Sequence, residues 1–116
     1  MKDRLDNSKK TRTGKPKDKI SFEDYLTGKG IDIKKYKNYL ESYVGKDAET
    51  LTVLAFAFDL QNERPRTKLY KAINYTFRTT HTRAGIEYHF KLYDGIVSPD
   101  RTSKITAVKR EIKKLS

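Results

Sequence analysis

A chain of 116 residues is the size of one domain and can build a modest core without covalent staples. It contains no cysteine, which excludes disulfides, zinc–thiolate sites and thiol catalysis. Its 26 Lys and Arg against 15 Asp and Glu leave a formal net charge of +11, and a surface so basic draws polyanions toward it.

The charge is unevenly spread. Residues 1–19 hold 8 basic and 3 acidic side chains, residues 20–62 hold 5 and 7, residues 63–97 hold 7 and 3, and residues 98–116 hold 6 and 2. No apolar run reaches the roughly 18–20 residues of a membrane span, and the first residues are polar, unlike a secretory signal. A soluble, cytoplasmic protein with no membrane partner is expected.

In chain order, residues 1–19 come first and offer only Met1 and Leu5 as large apolar groups, too little burial to offset the entropy of ordering. They read as a flexible basic arm, in which Lys9, Lys10, Arg12, Lys15 and Lys17 either track phosphates or simply solubilise the chain. Residues 20–116 read as a single domain. Ser21 followed by Asp24 has the spacing of a capping box and predicts a short helix to about Leu26, broken by Gly28 and Gly30. Asp32 is placed to cap a second helix with the stripe Ile33, Tyr36, Leu40 and Tyr43, stopped by Gly45.

The run TLTVLAFAFDL, residues 50–60, is apolar on whichever face is drawn. As a strand it sets Leu51, Val53, Ala55 and Ala57 opposite Leu54, Phe56, Phe58 and Leu60; as a helix it would start from Asp47 and be apolar nearly all round. Threonine, valine and phenylalanine favour a buried strand. The following stretch QNERPRTKLYK is expected to be a loop or the first turn of a short helix, made basic by Arg64, Arg66, Lys68 and Lys71.

Residues 73–93 alternate with a period of two. Ile73, Tyr75 and Phe77 oppose Asn74, Thr76 and Arg78, and Ile86, Tyr88, Phe90 and Leu92 oppose Glu87, His89, Lys91 and Tyr93. A β-hairpin with its loop at 80–85 is predicted, with Arg78, His89 and Lys91 on the outer face and Arg83 at the tip. Helical stripes also exist, through Leu69, Ile73 and Phe77 and through Ile86, Phe90, Tyr93 and Val97, but one long helix would carry a threonine-rich middle with Gly85 inside it. Asp94-Gly95 signals a turn. Ser98, Pro99 and Asp100 then open a final helix with Ile105, Val108, Ile112 and Leu115 on one side and Lys109, Arg110, Lys113 and Lys114 on the other.

The expected fold is therefore α+β, with N-terminal helices, a three-stranded antiparallel sheet and a C-terminal helix packed on it; an all-α bundle is the alternative. The element order is similar to that of double-stranded-RNA-binding domains, yet the lysine cluster and loop histidine that such domains set against RNA have no counterpart, and order alone does not carry function.

Dedicated chemistry is not visible. Two histidines without cysteine give no metal-site pattern, and phosphate-loop, dinucleotide and hydrolase motifs are absent. Asp59, Glu87, His89 and Lys91 could be grouped as a nuclease constellation, but Glu87 and Lys91 stand four apart instead of two. No cofactor is expected. The reading is a non-enzymatic protein that binds DNA or RNA mainly through phosphates, an accessory factor of replication, recombination or a mobile element, by way of the arm, the basic stretch 64–71, Arg78, Arg83, Lys91 and the last helix. The alternatives are a self-assembling structural subunit of a virion or ribonucleoprotein particle and an inhibitor of a nucleic-acid enzyme.

Overall fold

The structure, a computed structural model, describes residues 20–95 and 98–116; the arm lies outside the described residues. Among them every regular element is helical, which overturns the expected sheet and hairpin in favour of the all-α alternative. The elements are α1 (Phe22–Gly28), a 3-10 turn (Ile33–Tyr36) running into α2 (Lys37–Glu41), α3 (Ala48–Ala57), α4 (Arg66–Phe77), α5 (Arg83–Tyr93) and α6 (Pro99–Leu115).

The caps fall where the sequence puts them. The Ser21 hydroxyl accepts from the Asp24 amide at 3.1 Å while the Asp24 carboxylate accepts from the Ser21 amide at 2.8 Å, so two orphan donors of α1 are satisfied reciprocally. Asp32 accepts from the Lys34 amide and Ser98 from the Arg101 amide. Gly45 stands at φ +80°, in the left-handed region that ends the α2 segment, and its amide donates to the Phe77 carbonyl at 2.9 Å. That bond ties the end of the α2 segment to the end of α4.

Residues 50–60 are the first correction. The Asp47 carboxylate accepts from the Thr50 amide at 2.7 Å and opens a helix, not a strand. Residues Leu51 through Ala57 are all buried, because α3 packs against α5 and against α6. A helix enclosed in this way needs no polar face, so its sequence shows no helical period. Thr52, fully buried, satisfies its hydroxyl by donating to the Ala48 carbonyl one turn back.

The hairpin is the second correction. Leu69, Ile73 and Phe77 bury one stripe of α4, and Ile86, Phe90 and Tyr93 bury one stripe of α5. What looked like a hairpin loop is the break between two helices. Arg78 adopts left-handed backbone at φ 54° and closes α4, and the Thr82 hydroxyl accepts from the Gly85 amide at 3.0 Å and opens α5. A Cβ on Gly85 would lie 3.0 Å from that same Thr82 oxygen, so the glycine belongs to the cap and not to a hairpin tip.

Rings from several elements meet edge-on in one core. Phe22 meets Phe77 at 5.2 Å, Tyr70 meets Phe90 at 5.0 Å, and Phe56 meets Phe90 at 5.4 Å between centroids. Such contacts add roughly 0.5–1.5 kcal/mol each beyond burial. The last helix differs from the rest: Ile105, Val108 and Ile112 face the core, but no side chain of α6 is fully buried.

Candidate nucleic-acid interface

Two antiparallel-reading helices and the turn between them build the site. Asn74 on α4 fixes the turn: its side-chain oxygen accepts from the Thr79 hydroxyl at 2.7 Å and the His81 amide at 3.2 Å, and its nitrogen donates to the His81 carbonyl at 2.8 Å. The turn so held delivers Arg83 to the first residue of α5, beside Thr67, Tyr70, Lys71 and Asn74 of α4. Arg83, Glu87 and Lys91 follow at successive turns of α5 and continue the same groove toward Pro65 and Arg66.

The far end of the groove is closed by Arg66. Its guanidinium forks onto Asp94, at 2.6 and 2.8 Å, and also donates to the Gln61 carbonyl at 2.7 Å. The cation lies over the Phe90 ring, 5.3 Å from its centroid. Arg66 therefore joins the start of α4 to the end of α5 through both charge and packing. The fork holds the Asp94 carboxyl below its ordinary range and raises the Arg66 guanidinium further.

Glu87 stands between Arg83, at 3.8 Å, and Lys91, at 3.1 Å. Both cations are largely exposed, so these pairs contribute little and can be exchanged for another anion. Lys71 is exposed and has no carboxylate within ion-pair distance among the described residues. The groove thus offers one cation locked in place and three that can be recruited.

The remaining predicted site residues do not all converge. Lys68 is exposed one turn before Lys71 on α4. Arg64 turns back on its own loop and donates to the Gln61 and Glu63 carbonyls, both at 2.9 Å. Arg78 closes α4 and lies 3.6 Å from Glu41. Lys109 lies 3.6 Å from Asp59, while Arg110, Lys113 and Lys114 are exposed on α6, which packs on α3 away from the groove. Lys9, Lys10, Arg12, Lys15 and Lys17 lie outside the described residues.

The expected shared face of Arg78, His89 and Lys91 does not exist. On a helix two residues are separated by about 200°, so His89 and Lys91 stand on different sides of α5, and Arg78 belongs to the end of α4. The nuclease grouping dissolves for the same reason: Glu87 pairs with Lys91 along one helix, and Asp59 pairs with Lys109 of α6. Among the described residues no three His, Cys, Asp or Glu side chains are placed to hold a metal. The same residues include no helix long and apolar enough to cross a membrane.

Sequence reasoning missed Thr67, Tyr70, Asn74, Glu87 and Asp94 as parts of this site. The signal was available, since Thr67, Lys71 and Asn74 recur at helical spacing, as do Arg83, Glu87 and Lys91. No protein family, curated protein or solved structure matches this chain.

Proposed function

We propose that the protein binds nucleic acid through the groove between α4 and α5, contacting chiefly phosphates. The carrying observation is convergence: Arg66, Lys71, Arg83 and Lys91, spread over the sequence from 66 to 91, line a single groove. Point charges and N–H donors at a surface are what phosphate recognition requires. Thr67 and Asn74 add neutral donors between the cations.

The geometry also sets a scale. Three phosphate contacts, one for each recruitable cation, correspond to a slope of about −2.7 in log affinity against log salt on duplex and about −2.1 on a single strand. Affinity should then fall on the order of twenty- to fortyfold between about 50 and 200 mM salt. Participation of the arm and of α6 would steepen this toward the larger loss expected from six to ten contacts.

The experiment is fluorescence anisotropy of the intact chain with labelled DNA and RNA over a salt series, repeated with Lys71→Glu, Arg83→Glu and Glu87→Gln. Charge reversal should weaken binding and flatten the slope, and Glu87→Gln should strengthen binding by releasing Arg83 and Lys91. Binding unaffected by all three variants would remove the groove from the interface. No binding at low salt would assign the charge to a protein partner or to self-assembly.

A further inference from the structure

We infer that the nucleic acid held in this groove is single-stranded, with bases stacked on Tyr75 and Tyr88; the inference rests on the groove being a nucleic-acid site. Aromatic side chains elsewhere in the described residues are buried or half-buried, whereas Tyr75 is 44% exposed and Tyr88 is 60% exposed. Their positions are not scattered. On α4, Lys68, Lys71 and Tyr75 follow one another at i, i+3 and i+7 along a single exposed stripe. On α5, Tyr88 stands three residues before Lys91 and so neighbours it on the helix surface.

Lys71 and Lys91 line the groove from opposite helices, and helical spacing makes Tyr75, four residues after Lys71, and Tyr88, three before Lys91, their neighbours outside the groove lining. A strand whose phosphates follow the cations would therefore turn its bases toward a ring on either bank. The Tyr88 ring is not loose, since it meets the adjacent His89 ring edge-on at 5.2 Å. Phosphate neutralisation alone needs no rings, and a duplex keeps its base faces stacked inside. An unpaired strand presents both its charge and its base faces, and alternation of cations with aromatic rings is the arrangement that takes them together.

The test compares a labelled oligo-dT with a duplex of equal length, using the intact chain, Tyr75→Ala, Tyr88→Ala, Tyr88→Phe and Lys71→Glu. Both tyrosines are exposed, so circular dichroism should show the variants folded. The single strand should bind tighter than the duplex at matched salt. Each alanine variant should lose roughly five- to a hundredfold on oligo-dT with an unchanged salt slope, while Tyr88→Phe keeps its affinity and duplex binding is unmoved. Tighter duplex binding, or alanine variants that bind oligo-dT like the parent, would overturn the inference. If Lys71→Glu still weakens binding in that case, the groove stands and only the single-strand assignment falls; if neither the tyrosine nor the lysine variants change binding, the groove itself is refuted.

Discussion

Replacing Asp94 by Asn should lower stability and raise nucleic-acid affinity at once. Asn keeps the size of the side chain and one acceptor, but sets an amide NH2 against a guanidinium that now donates two short bonds, of 2.6 and 2.8 Å, to the carboxylate. Hydrogen bonds to charged groups contribute about 1.5–3 kcal/mol net. The Asp94 side chain is 40% exposed and Arg66 17%, so solvent screening discounts this to about 1–2 kcal/mol. Arg66 keeps the Gln61 carbonyl and the Phe90 ring, which prevents a larger loss. For a domain of this size the melting temperature should fall by roughly 4–16 °C. Affinity should rise roughly two- to fivefold, because the groove loses a negative charge. The assay is thermal unfolding at neutral and acid pH beside anisotropy at neutral pH. The Asp94 carboxyl titrates below its ordinary value of 3.8, so its stabilisation is present above that value and is lost as pH falls through the lowered one. The gap between parent and variant should therefore close in strong acid. A variant as stable as the parent at pH 7, or a gap that persists in strong acid, would refute the account of the fork.

Phe90→Ala should cost about 3–5 kcal/mol in urea unfolding, since the ring is fully buried against Phe56 and Tyr70 and carries the Arg66 cation. A loss below 1 kcal/mol would mean that the α4–α5 junction does not depend on it. In alkali, burial raises the phenols of Tyr39 and Tyr93 above their ordinary value of 10.0, and both donate to carboxylates, Tyr39 to Glu111 at 2.7 Å and Tyr93 to Glu49 at 2.8 Å. Stability should hold up to about pH 10 and fall as pH rises further, with tyrosinate absorbance and loss of helical circular dichroism appearing together. Ionisation of both tyrosines in a chain that stays folded would contradict this.

Local chemistry was legible in the sequence and enclosure was not. Ser21, Asp32, Asp47 and Ser98 announce helix starts because a cap is made within three residues of itself, and the final helix was read to its end. The run 50–60 misled because its identity depends on what surrounds it: α5 and α6 cover α3, and a covered helix and a covered strand ask for the same apolar residues. Residues 73–93 misled for a different reason. Both helical stripes were visible, but they were judged as one continuous helix, and the threonine-rich middle that counted against it is the turn, with Thr82 as the second cap. For the site, the residue types were named and their grouping was not. Which cations share a surface follows from a period of 3.6, so a wrong period put Arg78 beside Lys91 and hid the ladder of Arg83, Glu87 and Lys91.

The enclosure of α3 bears on how the chain is made. Translation delivers α3 before either α5 or α6, so the apolar surface that those two helices cover leaves the ribosome exposed, and α4, the next helix out, begins with basic residues. Until α5 and α6 follow, the nascent chain presents a sticky helix to solvent, the state in which chains aggregate or are held by chaperones. Because α6 is the last of the covering helices, this exposure ends only when Ile105, Val108 and Ile112 dock, although no side chain of α6 is fully buried.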